Sequence, residues 1–276
     1  MKKKLALVLI LCLSLSLMFG CGGAADKEPA PDKDVAADES LTKIEDKGKF
    51  IVGLDDAFPP MGYREEGTNE IIGFDIDMAK EVASHMGIEV EFQPVIWDTI
   101  IEELNGGNID LIWNGMSITP ERQKKIIFSE PYLDNAQIIV VQKGSAVKTK
   151  ADLADKTIGL QGGSSAMDAV KADPATFDSF GELIEFASND EALLDLAAGR
   201  LDAVVVDQIV GRYYIAKKAD VYDVLEEDFG AEEFGVGFRK DDVAFRDKVQ
   251  ATLEEMKADG TSTKISEKWF GADIVK

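Results

Sequence analysis

The sequence predicts an α/β protein built as two lobes. Apolar runs with the character of buried strands alternate along the chain with segments of helical period, the pattern of layered strands and helices. The series runs once from about Phe50 and restarts after Gln142, so two sheets are expected rather than one. An apolar content of 45% is enough for real cores, and 276 residues suit one large or two modest domains.

The elements follow in order. Lys2, Lys3 and Lys4 precede an apolar run from Leu5 to Phe19. That run is shorter than the roughly 20 residues of a bilayer span and has the make-up of a signal peptide, residues 1–20. Its end, Met18-Phe19-Gly20-Cys21, resembles a bacterial lipobox, in which a small residue precedes a cysteine that receives lipid. Cys12 lies in the segment to be cleaved, so Cys21 has no disulfide partner and lipidation gives it a role. A plain secretory signal with an incidental Cys21 thiol is the alternative. Residues 21–40 are rich in Ala, Pro, Asp and Glu and read as a flexible tether.

Phe50 to Leu54 reads as a buried strand. Gly73-Phe74 opens a helix with apolar residues at Ile76, Ala79, Val82, Ala83 and Met86, stopped by Gly87. Ile88 to Phe92 is a strand, Trp97 to Leu104 a short helix closed by Gly106-Gly107, and Ile109 to Trp113 a third strand. Thr119 is an N-cap with Pro120 at the first helical position. Gln137 to Gln142 is strand-like, Asp152 to Ala154 a helical turn, and Thr157 to Leu160 a strand. Gly162-Gly163-Ser164-Ser165 opens a helix from Ala166 to Lys171, and Leu183 to Phe186 is a strand. Ser188 to Glu191 has the form of a capping box opening a helix to Ala198. Ala203 to Val206 is a strand of β-formers, Asp207 starts the next helix, and Phe234 to Phe238 is a strand. Asp241 to Ala258 and Thr261 to Trp269 are closing helices, the first with an apolar stripe at Val243, Phe245, Val249, Leu253 and Met256. In open α/β sheets ligands bind at the carboxyl ends of strands, and Asp55, Gly115, Gly163 and Asp207 stand at such ends.

Composition removes several functions. A net charge of −22 opposes binding to phosphate backbones, so no nucleic-acid partner is expected. Such a domain is not drawn to anionic lipid either, so the acyl chains must hold it at a membrane. Two cysteines and one histidine, His85, leave cysteine-rich zinc sites and most catalytic triads unbuildable. No metal and no cofactor are expected. Asp75 and Asp77 look like paired acids, but at i and i+2 on a helix they do not face each other; they complement the helix dipole. His85 reads as a surface residue late in its helix, and Met61 and Met86 as packing.

Several motifs in order carry a resemblance. They are Asp55 to Pro60, Gly73 to Met78 with Val82, Ala83 and Met86, Gly115 to Arg122, Phe128 to Tyr132, Gly162 to Ser165, Asp202 to Asp207 and Lys268 to Gly271. From about Lys49 to Phe270 the chain resembles the family 3 bacterial extracellular solute-binding proteins, which serve amino-acid ABC transporters. The resemblance implies a two-lobed periplasmic-binding-protein-like (type II) fold whose hinge is two crossover strands. Carried over, lobe 1 is residues 41–132 and 234–276, lobe 2 is 137–229, and the hinge is 132–136 and 230–234.

The resemblance also implies site residues. Arg122 would hold a ligand α-carboxylate, which a guanidinium fork pairs bidentately; a surface arginine is the alternative. Ser117 and, from the Gly162–Ser165 turn, Ser164 and Ser165 would meet the same carboxylate, helped by backbone N–H groups at the helix start. Asp207 would be the counter-ion of the α-ammonium; it follows a buried strand, so it needs a partner, and it can also be a helix N-cap. The Gly115 carbonyl would be a second ammonium contact. Phe58 and Trp97 match positions where aromatics stack on the ligand side chain, with core packing as the alternative. Asp55, Asn114 and Gln161 would line the side-chain pocket. Asp55 and the aromatic walls suit a cationic side chain such as arginine, and Asn114 and Gln161 a neutral polar one such as glutamine or cystine. An aliphatic ligand would leave these groups unpaired.

The implied function is capture of a polar L-amino acid by a monomeric, extracytoplasmic, lipid-anchored receptor in a bacterial cell membrane, which delivers it to the permease of an ABC importer. Lobe closure follows physically, because a ligand touching both lobes binds the closed state better. One alternative is an amino-acid sensor acting with a separate signalling partner. Another is a secreted arogenate or prephenate dehydratase-like enzyme. Such chemistry needs a positioned acid or base, and only Asp55 and Asp207 are candidates, both explained by binding.

Overall fold

A computed structural model of the chain describes residues 38–276; the expected signal peptide, Cys21 and the tether as far as residue 37 lie outside the described residues. The tether was expected to run to Ser40, but Ser40 is buried and opens helix α1 (Ser40–Lys47). The reason is far along the chain. The Ser40 hydroxyl accepts from Phe245 N at 3.1 Å and Asp38 Oδ2 accepts from Ala244 N at 2.5 Å, so this short stretch satisfies free N–H groups at the start of a later helix.

Strand β1 (Lys49–Leu54) leads into a small antiparallel sheet of β2 (Ala57–Phe58), β3 (Gly62–Arg64) and β4 (Ile71–Ile72), which the alternation of apolar residues did not reveal. Helix α2 (Phe74–Met86) ends at Gly87 in the left-handed conformation, as its period and glycine predict. Strand β5 (Glu89–Pro94) pairs parallel with β1. A 3₁₀ turn at Trp97–Thr99 enters α3 (Ile100–Asn105). Strand β6 is only Leu111–Ile112, shorter than the predicted run from Ile109 to Trp113, although Asp110 N and Trp113 N still donate to β1 carbonyls. Helix α4 (Pro120–Gln123) has the expected cap, Thr119 Oγ1 accepting from Arg122 N at 3.2 Å. Strand β7 (Ile127–Phe128) closes this series.

The second series starts with β8 (Leu133–Gln142), which begins four residues before the predicted strand. A 3₁₀ turn at Lys150–Leu153 carries a capping box of Thr149 and Asp152. Strand β9 (Thr157–Gln161), α5 (Ser165–Lys171), α6 (Pro174–Phe177) and β10 (Glu182–Phe186) follow. Helix α7 (Asn189–Ala197) begins after Ser188, but the expected capping box is not formed. The Ser188 hydroxyl donates to the nearer Asp190 carboxylate instead. Then come β11 (Ala203–Asp207), α8 (Gln208–Lys217) and β12 (Tyr222–Phe234). The chain ends with β13 (Gly237–Phe238), α9 (Val243–Ala258) and α10 (Thr261–Phe270). Val243 stands exposed at the start of α9, while the rest of its predicted stripe is buried.

Two five-stranded sheets result, ordered β5-β1-β6-β13-β7 and β10-β9-β11-β8-β12. The central strands β8 and β11 of the second sheet are buried on both faces. Ile138 and Val140 of β8 join one core with Val204 and Val206 of β11, while Ile139 and Val141 join another with Ala203 and Val205. Between the sheets run two strands side by side. β8, which follows β7 of the first sheet, carries the chain into the second, and β12 carries it back toward β13; the two pair antiparallel with Leu133 opposite Phe234 and Asn135 opposite Glu232. The family resemblance implies a crossing strand only at 230–234, and residue pattern alone shows none of β12 before Phe234, because its acids and Gly230 give no alternation; β12 in fact begins at Tyr222. As an edge strand it keeps those acids in water and takes its regularity from β8.

Candidate functional site

Nine of the eleven site residues expected from the sequence line one cavity of about 10 Å³, where the two lobes meet; the exceptions are Asp55 and Asn114. That space would hold about one water molecule. A second cavity of about 250 Å³ adjoins it, sharing Trp97, Arg122 and Ser164 and lined also by Asp98, Glu102 and Asp168.

Arg122 is placed by the short capped helix α4 and is 7% exposed. Its guanidinium donates to the carbonyls of Ser117 at 2.9 Å and Gly163 at 3.1 Å, the second across the lobes. It lies 5.7 Å from the Trp97 ring. Burial pushes its pKa down, and the charges of Asp207, Glu232 and Asp168 act against that. Among the described residues no carboxylate forms an ion pair with it within 4.0 Å. Several of its five N–H groups are therefore left for another acceptor.

Phe58 and Trp97 form a parallel pair, rings 3° apart in tilt and centroids 6.4 Å apart. Gly115 lets Phe58 come close. It has φ +58°, and a Cβ there would lie 2.7 Å from the Phe58 ring. Its N–H donates at 2.7 Å to Asp75, which also accepts from Tyr132 Oη at 3.0 Å. Asp75 is fully buried, and burial lifts its pKa to about 7. Asp75 stands in the first turn of α2, as expected of a helix-dipole acid, and in addition anchors the Gly115 loop. Asp77 is separate from it, accepting from Lys268 Nζ and Trp269 Nε1.

From the second lobe, Gly163 has φ +69°, and a Cβ there would lie 2.7 Å from Asp98 Cα. Only glycine permits this approach of the lobes. Ser164 spends its hydroxyl on the Gln161 carbonyl at 2.7 Å. Gln161 reaches across to Asp55 Oδ2 at 2.7 Å, and its own Oε1 accepts from Asn189. Burial raises the pKa of Asp55. Asn114 is fully buried behind β1, where its Oδ1 accepts from Asp55 N at 3.1 Å, so it supports Asp55 rather than lining the cavity.

Asp207 stands at the N-cap position of α8 but makes no cap bond. Its Oδ1 accepts from Asn135 Nδ2 at 2.6 Å and Gln137 Nε2 at 2.9 Å. Burial and the neighbouring Glu232 charge lift its pKa to about 7, while Asn135, Arg122 and Gln137 pull the other way. Asn135, Gln137 and Glu232 are the residues that sequence reasoning missed here. The signal for the first two was two amides spaced by two at the start of a strand that runs on into Ile138–Val141, which places both on one face. Glu232 lies opposite Asn135 in register, and nothing in its acidic neighbourhood marks it out.

The chain was compared with known proteins. The family model for bacterial extracellular solute-binding proteins, family 3, matches residues 50–272. The L-cystine-binding protein TcyJ of Escherichia coli (strain K12) is 31% identical over 246 residues, covering 88% of this chain and 91% of that protein. The arginine-binding extracellular protein ArtP of Bacillus subtilis (strain 168) is 32% identical over 273 residues, covering 98% of each. The crystal structure of an ABC uptake transporter substrate binding protein from Streptococcus pneumoniae with bound histidine superposes with a TM-score of 0.83. It is 35% identical, covering 87% of this chain and 99% of that one.

Proposed function

The chain belongs to the family 3 bacterial extracellular solute-binding proteins, and from that membership we propose that it captures a polar L-amino acid of the arginine, glutamine or cystine class between its lobes. The observation that carries this is Arg122. A buried guanidinium without a carboxylate partner among the described residues is costly, and a ligand α-carboxylate is the partner its geometry suits. Asp207 lines the same cavity and would be the counter-ion of the α-ammonium. The relatives named for cystine and arginine, and the structure with bound histidine, have the α-amino acid head in common. The Asp55–Gln161 pair and the acids of the adjoining cavity favour a polar or cationic side chain.

A cavity of about 10 Å³ admits no amino acid, so the lobes part to load and close to hold. Motion at the β8 and β12 crossings would open the bonds that span the cleft, Arg122 to Gly163 and Gln161 to Asp55. The closed form is the shape an ABC importer's permease would read, and Cys21 at the lipobox-like segment would tether the monomeric receptor outside the cytoplasm. The test is calorimetric titration of wild type and Arg122→Ala with the polar amino acids. The variant is expected to lose about 2–5 kcal/mol of binding free energy. Wild-type affinity in the variant would remove Arg122 from the site.

A further inference from the structure

We propose that Glu232 is a positioning residue for the cationic end of the ligand: its carboxylate takes the hydroxyl protons of Ser117 and Ser165, turns their lone pairs toward an ammonium, and adds a second anion beside Asp207. The inference rests on the amino-acid-binding reading above and adds a residue that the family carry-over did not supply.

The donors and acceptors decide it. A carboxylate only accepts. Glu232 Oε2 receives Ser117 Oγ at 2.7 Å, Ser165 Oγ at 3.0 Å, Gln137 Nε2 at 3.0 Å and Asn135 Nδ2 at 3.2 Å. Ser165 Oγ also lies 3.0 Å from Ser117 Oγ and 3.1 Å from Gln137 Nε2, whose two N–H groups are shared among Ser165, Asp207 and Glu232. Ser117 gives its proton to Glu232, and Ser165 gives its own to Glu232 directly or through Ser117. No serine proton remains for a ligand carboxylate, and the two oxygens are left as acceptors. This changes the role expected of both serines: they suit the ammonium, while Arg122 alone among these side chains suits the carboxylate.

The same two amides bind both carboxylates. Asn135 and Gln137 each reach Asp207 Oδ1 as well as Glu232 Oε2, which holds the buried Asp207 carboxylate close to the half-buried Glu232 carboxylate. The rise in the Asp207 pKa has the Glu232 charge among its causes. Glu232 comes from the returning strand β12, so the ammonium site would join that strand, β8 and both lobes.

The test is titration of wild type and Glu232→Gln with the tightest-binding amino acid and its des-amino analogue: L-arginine with 5-guanidinopentanoate, or L-glutamine with 4-carbamoylbutanoate. Glu232→Ala is run beside them, and unliganded melting temperatures report the fold of each variant. The expected result is a loss of about tenfold or more for the amino acid in both variants, with much less change for the analogue that lacks the ammonium. An equal loss for both ligands, no loss, or a gain in affinity would overturn the proposal; a gain would mean that Glu232 competes with the ligand carboxylate. Wild type that binds no amino acid would instead overturn the function on which the proposal rests.

Discussion

On the proposed function, Asp207 would set the pH range in which the cavity takes a cation. Its pKa of about 7 means that it is largely protonated in mildly acidic solution, and an ammonium binds its ionised form. Below about pH 7 binding must expel that proton, so affinity is expected to fall by about tenfold per pH unit and to level off above it. Titration calorimetry between pH 5.5 and 8.5, as an experimental window, would show the slope, and Asp207→Asn should abolish it along with most of the affinity. A flat wild-type profile would contradict the assignment. The unliganded fold follows the opposite sign. Asp75 and Asp207 titrate near 7 when folded against an ordinary value of 3.8, so their contribution to stability falls as pH rises through that window. At this scale the sequence made Arg122 and Asp207 visible through motif order. It hid Asp75, because burial of a helix-start acid depends on the Gly115 loop and Tyr132, which lie 40 and 57 residues away.

Among the elements, those with strong period or strong punctuation were legible. Helix α2 is bounded by Gly73 and Gly87, and β11 is a run of valines. Elements that exist through partners were not. β12 depends on β8, and α1 depends on the start of α9, to which it lends Ser40 and Asp38. The false capping box at Ser188 shows the same limit, since a competing acceptor two residues on took the hydroxyl. The dependence of α9 on Ser40 can be measured. Ser40→Ala removes an acceptor from a buried helix N-terminus and is expected to cost about 1 kcal/mol in denaturant unfolding. An unchanged midpoint would show that the Phe245 N–H finds water or another acceptor instead.

For the whole molecule, the two strand–helix series and their restart after Gln142 were enough to anticipate two sheets, although one buried cluster, with Val52 of β1 and Val204 of β11, runs through both. How closely the sheets approach was not legible, since it depends on contacts between distant segments. Gly163 against Asp98, Gln161 against Asp55, and Tyr63 facing Tyr213 with ring centroids 6.0 Å apart all span the cleft. On the proposed function these contacts would form and break together as the lobes close and part, and a ligand that bridges them is expected to stabilise the whole fold. The measurement that bears most directly on this is a thermal-shift screen of protein unfolded and refolded to strip any bound ligand. The panel is the standard amino acids with cystine, ornithine and arogenate. A ligand at ~100 times its dissociation constant adds about 2.7 kcal/mol. The expected result is a clear rise in melting temperature with one or two polar amino acids. No rise with any amino acid would contradict capture between Arg122 and Asp207.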